Sequence, residues 1–165
     1  MQPGRLLRHL VLPDWWVLRA FPEPVLRTIE RAVSVSERTH LGELRIVVEA
    51  SPPLHGVLRR QSPRARAIEL FSQLGVWDTE HNSGVLIYVQ LIDRCVEIVA
   101  DRGINSKVGE AFWDAVCRRL ESAFREGQFE RGTLQALNEI TAALAEHFPA
   151  TGDNPDELPD PPVVY

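Results

Sequence analysis

The sequence has no apolar run long enough to cross a membrane. A transmembrane helix needs about 20 consecutive apolar residues, whereas the longest apolar stretches of this 165-residue chain, such as Gly84–Ile92, are short and rich in Val, Ile and Tyr. Such runs are typical of buried strands. A signal-peptide core is also missing, because Arg8, His9, Pro13 and Asp14 interrupt the apolar residues near the start. We therefore expect a water-soluble protein that is cytoplasmic or peripheral to a membrane.

Cysteine is scarce, and familiar catalytic motifs are missing. The two cysteines, Cys95 and Cys117, lack CxxC spacing, which excludes a zinc knuckle and a redox motif and fits a reducing compartment. Both lie in predicted regular elements, so we favour inert core thiols over catalytic thiolates and expect no disulfide. The sequence contains no GxSxG, P-loop, Cys-x5-Arg or HExxH pattern. No nucleophile is therefore identified.

Lysine is nearly absent, and the chain is acidic. Lys107 is the only lysine, and the net charge is -5. Arg59, Arg60, Arg64 and Arg66 form a local basic patch, but no aromatic platform or groove-reading motif accompanies it. We expect a solvated helix flank there and no nucleic-acid partner.

Residues 1–21 form an amphipathic N-terminal arm. Apolar residues, including Trp15 and Trp16, alternate with arginines. The arm either packs its tryptophans on the domain or touches a membrane with a basic surface. Because Pro13 breaks any long helix there, we favour packing. A helix is predicted to begin at Pro22 or Pro24 and to end near Ser34.

The central segment alternates strands and helices. Strands are predicted at 44–50, 85–91 and 95–101 because their apolar residues alternate. Between the first two, Ser62 can cap a helix, Pro63 can occupy its first position and Gly75 can close it. This crossover predicts a parallel pair, while the short link at 92–94 predicts an antiparallel hairpin. The sheet is therefore mixed.

Two helices and a tail complete the chain. Apolar residues at three- and four-residue spacing predict helices at about 110–126 and 131–147, both packed on the sheet. The segment after Phe148 is acidic and proline-rich, and its apolar residues show no periodic spacing. We therefore divide the chain into the arm at 1–21, one domain at 22–149 and a loosely ordered tail at 150–165.

Several motifs in order resemble those of one family. They are Gly42-Glu43 before the first strand, Asn82–Ile87 opening the second, Val96–Gly103, Phe129–Gly132, the run WDTEHNSGVLIY and the tail DNPDELP. The run from Thr39 to Phe148 thereby resembles the TPM domain, and in particular its short bacterial subgroup. The resemblance implies a three-layer α/β/α sandwich around a small mixed β-sheet.

The same resemblance implies two kinds of function. Members of the TPM family are often described as acid phosphatases, and some resemble calcium-binding proteins whose acidic ligands lie in loops at one sheet edge. Bacterial members often occur beside a LemA-type membrane protein, which is the partner that the resemblance implies.

Topology predicts where a metal ion would lie. Parallel strands begin at one sheet edge, and the antiparallel third strand ends there, so the edge should gather one set of candidate ligands: Glu43, Asp78, Glu80, His81, Asn82 and Asp101. Calcium accepts such oxygen ligands in flexible geometry. The alternative is that Asp78 and Asp101 cap turns and that Glu43 meets an arginine. His40 and His81 are the only histidines predicted to lie close together, and we favour loop or capping roles for both.

Two functions follow. The first is a cation-binding, non-catalytic accessory domain that acts with a membrane-associated partner. The alternative is a metal-dependent, acid-phosphatase-like phosphomonoester hydrolase, for which Arg102 is the only candidate to hold phosphate. We expect the first, because it needs only an acidic edge and an apolar docking surface.

Overall fold

The fold is an α/β sandwich, seen in a computed structural model that describes residues 15–53, 56, 61–150 and 157–165. The elements in chain order are α1 (Trp15–Ala20), α2 (Glu23–Glu37), β1 (Leu44–Glu49), α3 (Pro63–Gln73), β2 (Val85–Gln90), β3 (Cys95–Ala100), α4 (Arg102–Val108), α5 (Glu110–Arg125), α6 (Phe129–His147) and β4 (Val163–Val164). Among the described residues, no helix is both long and apolar enough to span a bilayer.

The sheet is mixed, as predicted, and has the strand order β3-β2-β1-β4. β1 and β2 run parallel with Leu44 opposite Val85, and β2 and β3 run antiparallel with Val85 opposite Ala100. The crossover through α3 and the short hairpin are both confirmed.

Two apolar cores lie on opposite faces of the sheet. The larger one joins alternate strand residues, such as Ile46 and Ile87, to α2, α5 and α6. The smaller one joins Val47 and Leu86 to Leu70 of α3. Because every second strand residue points to the same face, alternation in the sequence sorts these residues between the cores. The predicted three-layer α/β/α architecture is confirmed.

The predicted cap of α3 is also present. The Ser62 side chain accepts a hydrogen bond from the Ala65 backbone N–H at 3.1 Å, and Pro63 is the first helical residue. After the helix, Gly75 adopts a φ of 69°, which glycine reaches without strain. In contrast, α2 continues to Glu37, three residues beyond the predicted end.

Part of the N-terminal arm belongs to the larger core. Val17 and Phe21 are fully buried, and the partly buried Trp16 packs against the same core. Phe21 contacts Phe124 and Phe129, with ring centroids 5.9 and 5.6 Å away. Residues 1–14 and the side chain of Trp15 lie outside the described part of the chain.

Two elements were not predicted. α4 begins directly after β3, where the sequence indicated only a glycine turn. The prediction of a loosely ordered tail is wrong for residues 157–165, because β4 pairs with β1 and Tyr165 exchanges backbone hydrogen bonds with Val48 and Ala50 at 3.0 Å each. Residues 151–156 are outside the described ranges.

The prediction of a solvated arginine patch is wrong for Arg66. Its guanidinium is buried on the α3 face of the sheet and pairs with Glu49 at 2.8 Å. The second Glu49 oxygen accepts the Tyr88 hydroxyl at 2.5 Å, and Gln90 donates to that hydroxyl at 3.1 Å. Burial and then the Glu49 carboxylate raise the pKa of Tyr88. A buried charge needs such partners.

Candidate functional site

Three residues occupy neighbouring positions at the edge where β1 and β2 begin and β3 ends. Val85 donates its backbone N–H to Glu43, and Asp101 donates its own to Gly84, each at 2.8 Å. The strand register therefore places Glu43, Gly84 and Asp101 side by side across the sheet. This is the edge at which the sequence predicts a metal ion.

Asp101 combines a cap with an unused oxygen. Its side chain is only 8% exposed, and Oδ1 accepts the Arg102 backbone N–H at 2.6 Å, which caps α4. Its Oδ2 is also buried and has no hydrogen-bond partner among the described residues. A buried polar atom of this kind is costly unless something binds it.

The first turn of α4 packs against the loop that precedes β2. A Cβ at Gly103 would lie 2.4 Å from the Asn82 carbonyl oxygen and 2.8 Å from that of His81, distances that only glycine permits. Ile104 donates its N–H to the same Asn82 oxygen at 3.4 Å. The first turn of α4, which Asp101 caps, therefore packs directly on the backbone of this loop.

A buried hydrogen bond stabilises the loop that precedes β2. Ser83 donates its backbone N–H to the Thr79 hydroxyl at 3.0 Å, and both residues are buried. Asn82 has a φ of 52°, a left-handed conformation that asparagine tolerates better than most residues. The side chains of the other predicted ligands in this loop are exposed: Asp78, Glu80, His81 and Asn82.

The Glu43 carboxylate is bound by the C-terminal segment. It is buried and accepts backbone N–H groups from Glu157 at 3.4 Å and Leu158 at 3.2 Å. Moreover, a Cβ on Gly84 would lie 1.9 Å from the Val76 carbonyl oxygen. The Val76 backbone therefore covers Gly84, which separates Glu43 from Asp101. Within the described ranges, no group of three or more His, Cys, Asp or Glu side chains is spaced to hold a metal ion.

Glu43 belongs instead to an acidic contact that the sequence did not reveal. Glu37, at the end of α2, accepts the Leu44 backbone N–H at 3.1 Å and hydrogen-bonds to Asp160 of the C-terminal segment. Burial raises the pKa of Glu37 to about 9, and the nearby Glu43 and Asp160 carboxylates add to the rise. Only the return of the C-terminal segment brings these three carboxyl groups together.

His40 and His81 differ in their exposure to solvent. His40 is fully buried, and its Nδ1 accepts the Gly42 backbone N–H at 3.2 Å. Burial lowers its pKa to about 4, so the ring is neutral near pH 7. His81, in contrast, is exposed on the loop.

Neither cysteine is a reactive thiolate. Both thiols are free and half-buried. Burial raises the pKa of Cys95 to about 12 and that of Cys117 to about 11, and nearby carboxylates such as Glu97 add to both effects. A nucleophilic cysteine requires the opposite change.

Comparison with known proteins identifies relatives of the whole fold. A family model described as the TPM domain matches residues 22–143. The NMR structure of BA42 protein from the psychrophilic bacterium Bizionia argentinensis is 30% identical, with a TM-score of 0.75 over 86% of this chain and 93% of that one. The N-terminal domain of a P. gingivalis protein, 16% identical, matches 85% of this chain and 94% of its own with a TM-score of 0.63 and shares the fold. No curated protein matches.

Proposed function

The chain belongs to the TPM-domain family, and we propose that it is a cation-binding, non-catalytic domain that acts with a membrane-associated partner. The proposal includes a cytoplasmic or membrane-peripheral location. Its main support is the buried Asp101 Oδ2, which lacks a hydrogen-bond partner in the described structure. Two residues further along the chain, Gly103 packs against the carbonyl oxygens of His81 and Asn82.

These groups fit a hard divalent cation. A carboxylate oxygen, the backbone carbonyls of His81 and Asn82, and the exposed side chains of Asp78 and Glu80 are all oxygen donors. Calcium takes six to eight such ligands in flexible geometry, whereas magnesium demands a strict octahedron. Exposed carboxylates on a loop, which are not fixed in an octahedral arrangement, therefore favour calcium. We leave Glu43 out of this site because its oxygens already hold the C-terminal segment.

The non-catalytic assignment rests on the side chains available for chemistry. The raised pKa values of both cysteines keep the thiols protonated, and His40 is buried away from solvent. Arg102, the candidate phosphate ligand, is exposed at the start of a seven-residue helix. An efficient hydrolase would need a preorganised cationic clamp for the phosphoryl group.

An exposed aromatic residue next to the site supports the proposal that a partner protein binds there. Trp77 is 54% exposed and directly precedes Asp78. Tryptophan is enriched at the centres of protein interfaces. We propose that a membrane-associated protein, for which a LemA-type protein is the candidate, contacts the domain here.

An NMR titration of the ¹⁵N-labelled protein with calcium chloride tests the cation site. We expect saturable shifts of the amides of residues 78–84 and 101–104. Asp101→Asn should abolish them, because asparagine keeps the helix cap but removes the charge. Asp114→Asn, an exposed substitution on α5, is the matched control and should leave them unchanged.

An assay with p-nitrophenyl phosphate separates the two functions. With and without divalent metal, we expect no turnover above that of Asp101→Asn. Turnover that Asp101→Asn abolishes would instead support the metal-dependent hydrolase.

A further inference from the structure

A second concave site lies at the opposite end of the sheet from Asp101. It is a cavity of about 580 Å³ between α1, the turn from β2 to β3, and the connection from α5 to α6. Small-molecule sites are typically 300–1,000 Å³ and mostly apolar, with a few converging polar groups. The size of this cavity is within that range.

Aromatic rings form most of the apolar lining of the cavity. Trp16 lines one side, and Phe124 and Phe129 line another, with their ring centroids 5.1 Å apart. These partly buried rings pack against the larger core, which holds them in place. The apolar lining is thus built into the fold.

Three arginines surround this apolar lining: Arg19, Arg94 and Arg125. Arg125 forms an exposed pair with Glu121 at 3.3 Å. In the part of the chain that the structure describes, the side chains of Arg19 and Arg94 form no hydrogen bond or ion pair. Two uncompensated guanidinium groups beside an apolar cavity form a local anion-binding arrangement on a protein whose net charge is -5.

The backbone at Arg94 adds an independent observation. Its φ of 51° lies in the left-handed region, which favours glycine or asparagine over arginine. Strained conformations of this kind cluster at functional sites. The turn thus holds an arginine in an unfavourable conformation at the rim of the cavity.

We propose that this cavity binds a small amphiphilic anion. Arg19 and Arg94 hold its carboxylate or phosphate head, since a guanidinium matches both groups in bidentate geometry. Its apolar tail packs against Trp16, Phe124 and Phe129. The ligand is a free molecule and not a bilayer, because the site is a concave cavity of ligand size and not a flat face.

Calorimetric titration of the full-length protein with sodium decanoate, below its critical micelle concentration, tests the proposal. We expect saturable one-to-one binding, and decyl phosphate should compete with decanoate. Decanol should bind at least about 10-fold more weakly, because it lacks the anion and a charge-assisted hydrogen bond contributes about a factor of ten or more. Inorganic phosphate should also bind at least about 10-fold more weakly, because it lacks the apolar tail and each buried CH₂ group contributes roughly a factor of four. Equal affinity for decanol would overturn the role of the arginines.

A variant pair localises the binding. Arg94→Asn suits the left-handed backbone and should weaken decanoate binding about 10-fold or more. Arg102→Gln removes an exposed arginine at the other sheet edge and should leave the affinity unchanged. The proposal fails if the parent protein does not bind decanoate, if the two variants lose the same affinity, or if the protein binds only anionic phosphatidylglycerol vesicles.

Discussion

Replacing Glu37 with glutamine should make the protein more stable above neutral pH. Glu37 is only 9% exposed and faces two other carboxyl groups, Glu43 and Asp160. Its pKa rises from 4.5 to about 9, so it carries a proton in the folded state at pH 7. The amide of glutamine has the shape of that protonated acid: its oxygen can accept the Leu44 N–H, and its NH₂ group can donate to Asp160.

The magnitude follows from proton linkage. Because the pKa of Glu37 is raised on folding, the folded state binds more protons between pH 4.5 and about 9. Its contribution to stability is therefore complete below pH 4.5 and is lost as the pH rises towards 9. Each pH unit corresponds to about 1.4 kcal/mol. By pH 7 the free energy of unfolding of the parent protein is therefore about 3 kcal/mol lower than below pH 4.5, a decrease that glutamine avoids.

Urea unfolding at pH 5, 6, 7 and 8 measures this effect. The free energy of unfolding of Glu37→Gln, minus that of the parent, should increase by about 1 kcal/mol per pH unit. Any fixed cost of the amide cancels in this slope. Glu30→Gln, on the same helix, is the control and should follow the parent. A Glu37→Gln profile parallel to that of the parent would refute the account of a buried, protonated Glu37.

Two further predictions concern the same sheet edge. Burial lowers the pKa of His40 to about 4, so its contribution to stability is present above pH 6.5 and falls by about 3 kcal/mol as the pH drops towards 4. His40→Gln should reduce this loss of stability at acidic pH, measured by urea unfolding between pH 4 and 7. An unchanged pH dependence would contradict the prediction. Gly84→Ala would place a Cβ 1.9 Å from the Val76 carbonyl oxygen and should destabilise the fold by about 1 to 3 kcal/mol or more, so an unchanged melting temperature would show that the loop yields freely.

The elements that the sequence predicts are those with local chemical signals. Alternating apolar residues identify β1, β2 and β3, and Ser62-Pro63 identifies the start of α3. Each of these signals depends on residues that are close together in the sequence, so it can be recognised without knowledge of the tertiary structure.

The unpredicted elements depend on distant contacts. α4 has glycine at its second residue, an unfavourable helical position, yet it forms because Ile104 is fully buried and Asn105 accepts the Trp113 indole N–H at 2.8 Å. β4 has only two residues. It pairs because β1 offers an open edge and because the Glu43 carboxylate accepts two N–H groups of the same segment.

The candidate site shows the same division. Topology correctly predicts that Glu43 and Asp101 share one sheet edge, because strand direction follows from connection length. It does not predict that the Val76 backbone lies between them or that the C-terminal segment binds Glu43. Those facts depend on loop conformation and on a contact between residues more than 100 positions apart.

The effect of calcium on the melting temperature tests the central claim most directly. Calcium at about 100 times its dissociation constant should stabilise the fold by roughly 2.7 kcal/mol and raise the melting temperature by roughly 5 to 10 °C. Asp101→Asn should remove this gain, whereas Glu43→Gln and Asp114→Asn should retain it. An identical melting curve of the parent protein with and without millimolar calcium would contradict a cation site at Asp101.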